Sequence, residues 1–121
     1  MTRALLLLTA LGLLAAPSGA GAHPIFVSAD PPRGAAVAMA PKAIRVSFSE
    51  AVLARGSSFQ LLDAAGKPVR TGPLALAPKD GRTIVLPVSQ PLTPGAYTVK
   101  WKVLAAGHGA VPGVYRFRVS R

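Results

Sequence analysis

Cysteine is absent from the 121 residues, which excludes disulfides, thiolate metal ligands, a catalytic thiol and a lipid-bearing cysteine. Acidic side chains number only four, Asp30, Glu50, Asp63 and Asp80, and no two are close in sequence. Paired-carboxylate catalysis and an oxygen-rich calcium loop therefore have no foundation. The glycines are dispersed among turns and form no phosphate-binding loop. No serine stands beside a histidine or a lysine. Outside the first 22 residues the chain has one methionine, Met39, too little for a thioether site of its own.

The one marked apolar run, mainly Leu and Ala from Ala4 to Ala16, is shorter than the roughly 20 residues of a membrane-spanning helix. Arg3 precedes it, Pro17-Ser18-Gly19 breaks it, and Ala20-Gly21-Ala22 supplies small residues at a cleavage site. Residues 1–22 are thus expected to be a secretory signal, and 23–121 a single domain too small for two cores. Cleavage after Ala22 would expose His23 as the first residue.

Fourteen basic residues face four acidic ones; loss of Arg3 with the leader leaves thirteen against four, a net charge of +9. The basic residues are spread singly, without a dense run or an interleaved aromatic platform. No nucleic-acid partner is therefore expected, and most of the cations read as solvated surface.

Apolar residues recur with period two rather than at helical spacing. Ile44, Val46 and Phe48 alternate with polar neighbours, as do Phe59 and Leu61, and Ile84, Leu86 and Val88. The clearest alternations are Tyr97, Val99, Trp101, Val103 and Tyr115, Phe117, Val119. Turn signals separate them at Asp30–Gly34, Asp63–Pro68, Pro78–Gly81 and Pro91–Gly95. About seven short strands in one small domain predict an all-β, immunoglobulin-like Greek-key sandwich, with a small closed barrel as the alternative. Tyr97, just after Pro94-Gly95, is expected to cap a sandwich corner, and Trp101 to lie in the core.

His23 and His108 are the two histidines. His108 sits between glycines in the segment Leu104–Gly113, where little can bury it; a plain exposed loop histidine is the simplest interpretation. A free His23 changes that, since its amine and ring nitrogen can chelate one ion and His108 can add a third nitrogen. Three nitrogens in a T-shape suit tetragonal Cu(II) better than tetrahedral zinc. Metal must displace protons from such ligands, so binding weakens as pH falls. Pro24 has no amide proton, which prevents the backbone from wrapping copper there and favours ligation completed from elsewhere in the fold.

His23-Pro24, the turn Pro31-Pro32-Arg33-Gly34, Phe48-Ser49-Glu50-Ala51-Val52, Leu92–Trp101, and His108 followed by Gly113–Phe117 run in order along the whole domain. Together they resemble the CopC family of periplasmic copper-binding proteins. The resemblance implies a Cu(II) site at one end of an immunoglobulin-like sandwich, serving copper tolerance or delivery. It also implies metal ligation by His23 and His108, with Glu50 either at the metal or hydrogen-bonded to a ligand. The expected partners are the copper ion and an inner-membrane copper transporter of the CopD type, with the chain a monomer. Two departures from the family pattern stand out. Ala106 occupies the position of a frequent aspartate, and the loop after His108 is one residue longer.

A periplasmic binding protein, not an enzyme, is the leading expectation. An oxidase would need a substrate platform, and of Phe26, Trp101 and Tyr115 two are assigned to the core. A metal-free interaction module docking on anionic lipid or a protein is the other alternative.

Overall fold

The computed structural model describes residues 23–120, to which all structural statements refer; the expected signal and Arg121 lie outside them. The chain forms eight strands: β1 (Phe26–Asp30), β2 (Ala36–Val37), β3 (Ala43–Phe48), β4 (Leu53–Leu62), β5 (Ala75–Leu76), β6 (Thr83–Pro87), β7 (Gly95–Leu104) and β8 (Val111–Val119). They make two four-stranded sheets, ordered β1-β3-β6-β5 and β2-β8-β7-β4. The architecture is the expected all-β sandwich. No helix occurs among the described residues.

Alternation determines which face each strand buries. In β3, Ile44, Val46 and Phe48 point inward, and in β6 Ile84 and Leu86 meet them. From the other sheet come Phe59 and Leu61 of β4, Tyr97, Val99, Trp101 and Val103 of β7, and Tyr115, Phe117 and Val119 of β8. Each fully buried Val, Ile, Leu or Phe side chain contributes about 1.5–3 kcal/mol, so the inter-sheet layer dominates stability. Among the described residues the strands span Phe26 to Val119, and the buried core cluster lies within that range.

The Tyr97 hydroxyl donates to the Thr93 carbonyl oxygen at 2.6 Å, tying the turn before β7 to the strand as the sequence predicts. Two other turns are held by carboxylates: Asp63 Oδ1 accepts from the Ala65 and Lys67 amides, and Asp80 Oδ1 from those of Arg82 and Thr83.

Several expected boundaries move. The strand count rises from about seven to eight because β2 and β5 have only two residues each and leave no alternation to read. Val88 lies outside β6, in an isolated bridge with Thr71. β8 begins at Val111, so Pro112 and Gly113 belong to a strand, paired with Lys102 and Trp101, and the loop carrying His108 shrinks to 105–110. β2 pairs with β8 only at Arg118 and Val119. Pro112 therefore sits where β8 has no second strand beside it, a position that tolerates a missing amide hydrogen.

Candidate metal centre

The two histidines arrive from different sheets. Ile25, just ahead of β1, exchanges two hydrogen bonds with Ser49: its amide donates to Ser49 Oγ and its carbonyl accepts from the Ser49 amide, each at 2.9 Å. Pro24 beside it is buried, whereas His23 is exposed. The start of the described chain is thus pinned to the segment leaving β3, and His23 is the first residue beyond that anchor. Nothing in the sequence marked Ser49 for this role except its place in the Phe48-Ser49-Glu50 motif.

His108 comes from the β7–β8 hairpin of the other sheet. Gly107 precedes it with φ of +81°, a left-handed conformation that side chains disfavour, and the His108 amide closes a turn by donating to the Ala105 carbonyl at 3.1 Å. Ala105 is buried, so the hairpin is anchored at its base while the imidazole stays half-exposed. Leu104 adds a second anchor, donating its amide to Ser57 Oγ across from β4 at 2.8 Å.

The structure brings these two imidazoles together. Their ring centroids lie 5.5 Å apart at 65°, edge to face. With metal–imidazole bonds of about 2.0–2.1 Å, two rings sharing one ion have centroids roughly 4.5–6.5 Å apart, so the spacing is compatible with a common ion. Glu50 lies one residue past the Ser49–Ile25 bonds and is half-exposed. Among the described residues no group of three His, Cys, Asp or Glu side chains could hold a metal ion, so Glu50 does not complete a three-side-chain site with the two histidines.

Below β1 lies an aromatic floor. Phe26 stacks on Trp101 at 5.9 Å and 17°, and Trp101 stacks on Phe59 at 5.5 Å and 18°. The Arg33 guanidinium lies over the Phe26 ring, 4.6 Å from its centroid. Trp101 and Tyr115 are both buried, the core placement expected of them. Among the described residues the Tyr115 hydroxyl has no hydrogen-bond partner, and burial, with Asp30 adding a smaller like-sign effect, holds its ionisation far above the ordinary phenol range. It is a neutral phenol at any physiological pH.

Residues 26–120 match the family model of the CopC domain. The chain belongs to the CopC family. Similar proteins include YobA of Escherichia coli K12, 32% identical over 98 residues covering 81% of this chain and 79% of that one. Copper resistance protein C of Pseudomonas syringae pv. tomato is 31% identical over 105 residues, 83% and 82% of the two chains. Among solved structures, CopC from Methylosinus trichosporium OB3b superposes with a TM-score of 0.74 at 33% identity, covering 81% of this chain and 94% of that one. PcoC of Escherichia coli, described as a methionine-rich copper resistance protein, gives 0.75 at 29% identity, covering 82% and 100%. This CopC-family chain lacks that methionine richness, since Met39 is its one methionine after residue 22 and is 83% exposed.

Proposed function

We propose that this CopC-family protein binds one Cu(II) ion outside the cytoplasm and acts as a copper carrier or buffer in copper resistance. The observation that carries the reading is the 5.5 Å approach of the His23 and His108 rings from opposite sheets. Neither histidine is needed to fill the core, and a shared ion accounts for both positions.

Two imidazoles alone make a weak site. The third donor is the α-amine that removal of residues 1–22 would create on His23, so maturation would supply a ligand that the uncleaved chain lacks. Amine and imidazole of a single residue form a chelate, His108 lies across from it, and one position stays open for water or an exchanging ligand. Three nitrogens in this arrangement favour Cu(II). Among the described residues Glu50 does not join the two histidines in a three-side-chain site, so the reading rests on the three nitrogens alone. Ala106 presents a methyl group where the family often has a carboxylate, which leaves the site with less negative charge and a weaker hold. That suits exchange with an inner-membrane transporter of the CopD type by a periplasmic monomer.

The test compares three proteins: the chain starting at His23, the same chain with its His23 α-amine acetylated, and His108→Ala. Acetylation converts the amine to an amide without adding a second amine that could chelate in its place. Both changes should lower Cu(II) affinity at least tenfold, on the scale that loss of a ligand's support produces, while the thermal midpoint of the apo proteins stays the same. Unchanged affinity in both would remove the reading.

A further inference from the structure

The basic residues of β7 and β8, scattered in the sequence, are gathered by strand register into one row. Alternation sends Lys100 and Lys102 of β7 and Arg116 and Arg118 of β8 to the face opposite the core, and all four are exposed. The strands are antiparallel, with Ala96 opposite Arg118, Thr98 opposite Arg116, Lys100 opposite Val114 and Lys102 opposite Pro112. Each of these four successive same-face rungs carries one cation. At about 3.4 Å per residue the row is roughly 20 Å long.

No carboxylate side chain is on these two strands. Asp30 ends β1, Glu50 lies between β3 and β4, Asp63 follows β4 and Asp80 precedes β6. The outer face of the other sheet differs, because there Arg45 stands directly across from Asp30. Within the cationic row Val114 is 42% exposed beside Lys100, and a shallow groove of about 780 Å³ runs between Ser58, Gln60, Lys100, Lys102, Pro112 and Val114.

We infer that the outer face of the β4-β7-β8 sheet docks on the surface of an anionic phospholipid bilayer. A planar array of single cations with an apolar side chain among them matches a planar array of phosphates. It offers no closed cradle for one free anion and no aromatic platform for nucleic acid. Each Lys or Arg near such a surface strengthens partitioning by a factor of about five. The inference is independent of copper, because neither histidine belongs to the row.

The experiment is flotation of the protein starting at His23 with vesicles of phosphatidylglycerol and phosphatidylethanolamine, against vesicles of phosphatidylcholine alone. Two variants of equal net charge are compared. One replaces Lys100, Lys102, Arg116 and Arg118 with Gln; the other replaces Lys42, Lys67, Arg70 and Lys79 with Gln, and circular dichroism verifies that both are folded. Binding is expected to the anionic vesicles only, to vanish near 1 M salt where the Debye length is about 3 Å, to fall at least tenfold in the first variant, and to change less than about twofold in the second. Equal loss in both variants would overturn the assignment of this face, since net charge alone would then explain binding. Absence of binding to anionic vesicles would overturn the proposal, as would retention of polyglutamate by the face without vesicle binding, which would indicate an acidic protein partner instead.

Discussion

Trp101 lies so close to its cross-strand partner Gly113 that a Cβ at position 113 would fall 2.4 Å from the indole. Glycine is required there by contact, since its backbone is not in the left-handed region. Gly113→Ala should therefore push the indole off Phe26 and Phe59 and destabilise the fold by about 1–3 kcal/mol. Urea denaturation followed by tryptophan fluorescence measures it, and a change within about 0.5 kcal/mol would show that the indole can move at little cost.

Tyr115 and Tyr97 should respond oppositely to loss of their hydroxyls. The Tyr115 oxygen is buried without a partner, so Tyr115→Phe is expected to leave stability unchanged or raise it by up to about 1 kcal/mol. Tyr97→Phe removes the bond to Thr93 and should cost about 0.5–1.5 kcal/mol. Thermal unfolding of the two variants side by side gives the comparison.

Tyr115 also fixes behaviour in alkali. Its ionisation is raised in the folded state, so the unfolded chain loses the proton first as pH rises through about 10. The folded state keeps its full advantage below that pH and loses it progressively above. The thermal midpoint of the parent protein should fall more steeply above pH 10 than that of Tyr115→Phe; parallel curves would contradict this.

At the acid end the sensitive group is Asp80, held below the ordinary carboxylate range chiefly by the Arg82 amide and then by the Thr83 hydroxyl, which donates to it at 3.0 Å. Thr83 in turn is hydrogen-bonded to Ser47 at 2.7 Å. A lowered folded value means the contribution is present above the unfolded carboxylate pKa of about 3.9 and is lost as pH falls through the folded one. Asp80→Asn should flatten the decline of the thermal midpoint below pH 4, and an unaltered decline would move the acid sensitivity to another group.

The sandwich was legible because long strands with one wet face write their alternation into the chain, as Tyr97 to Val103 and Tyr115 to Val119 do. What escaped was local. Pro112-Gly113 carries the composition of a turn, yet β8 runs through it because the proline stands beside an unpaired stretch and the glycine makes room for Trp101. The start of β4 was equally opaque, since its register shifts between Leu53 and Ser58 around Gly56, whose φ is +91°. For the site, two histidines in the whole chain made the candidates easy to name. Their proximity could not be read from spacing, because it depends on Ser49 anchoring Ile25 in one sheet and on the β7–β8 hairpin of the other. The cationic row was hidden for the same reason: only the register of β7 with β8 aligns residues that look dispersed in sequence.

We propose that His23 and His108 share one Cu(II) ion. Electron paramagnetic resonance of the protein beginning at His23, loaded with one equivalent of Cu(II), tests it most directly when repeated on His108→Ala. Expected is a tetragonal, nitrogen-rich signal that loses coupling from one nitrogen in the variant. A signal identical in both proteins, or equal to that of free copper, would contradict it.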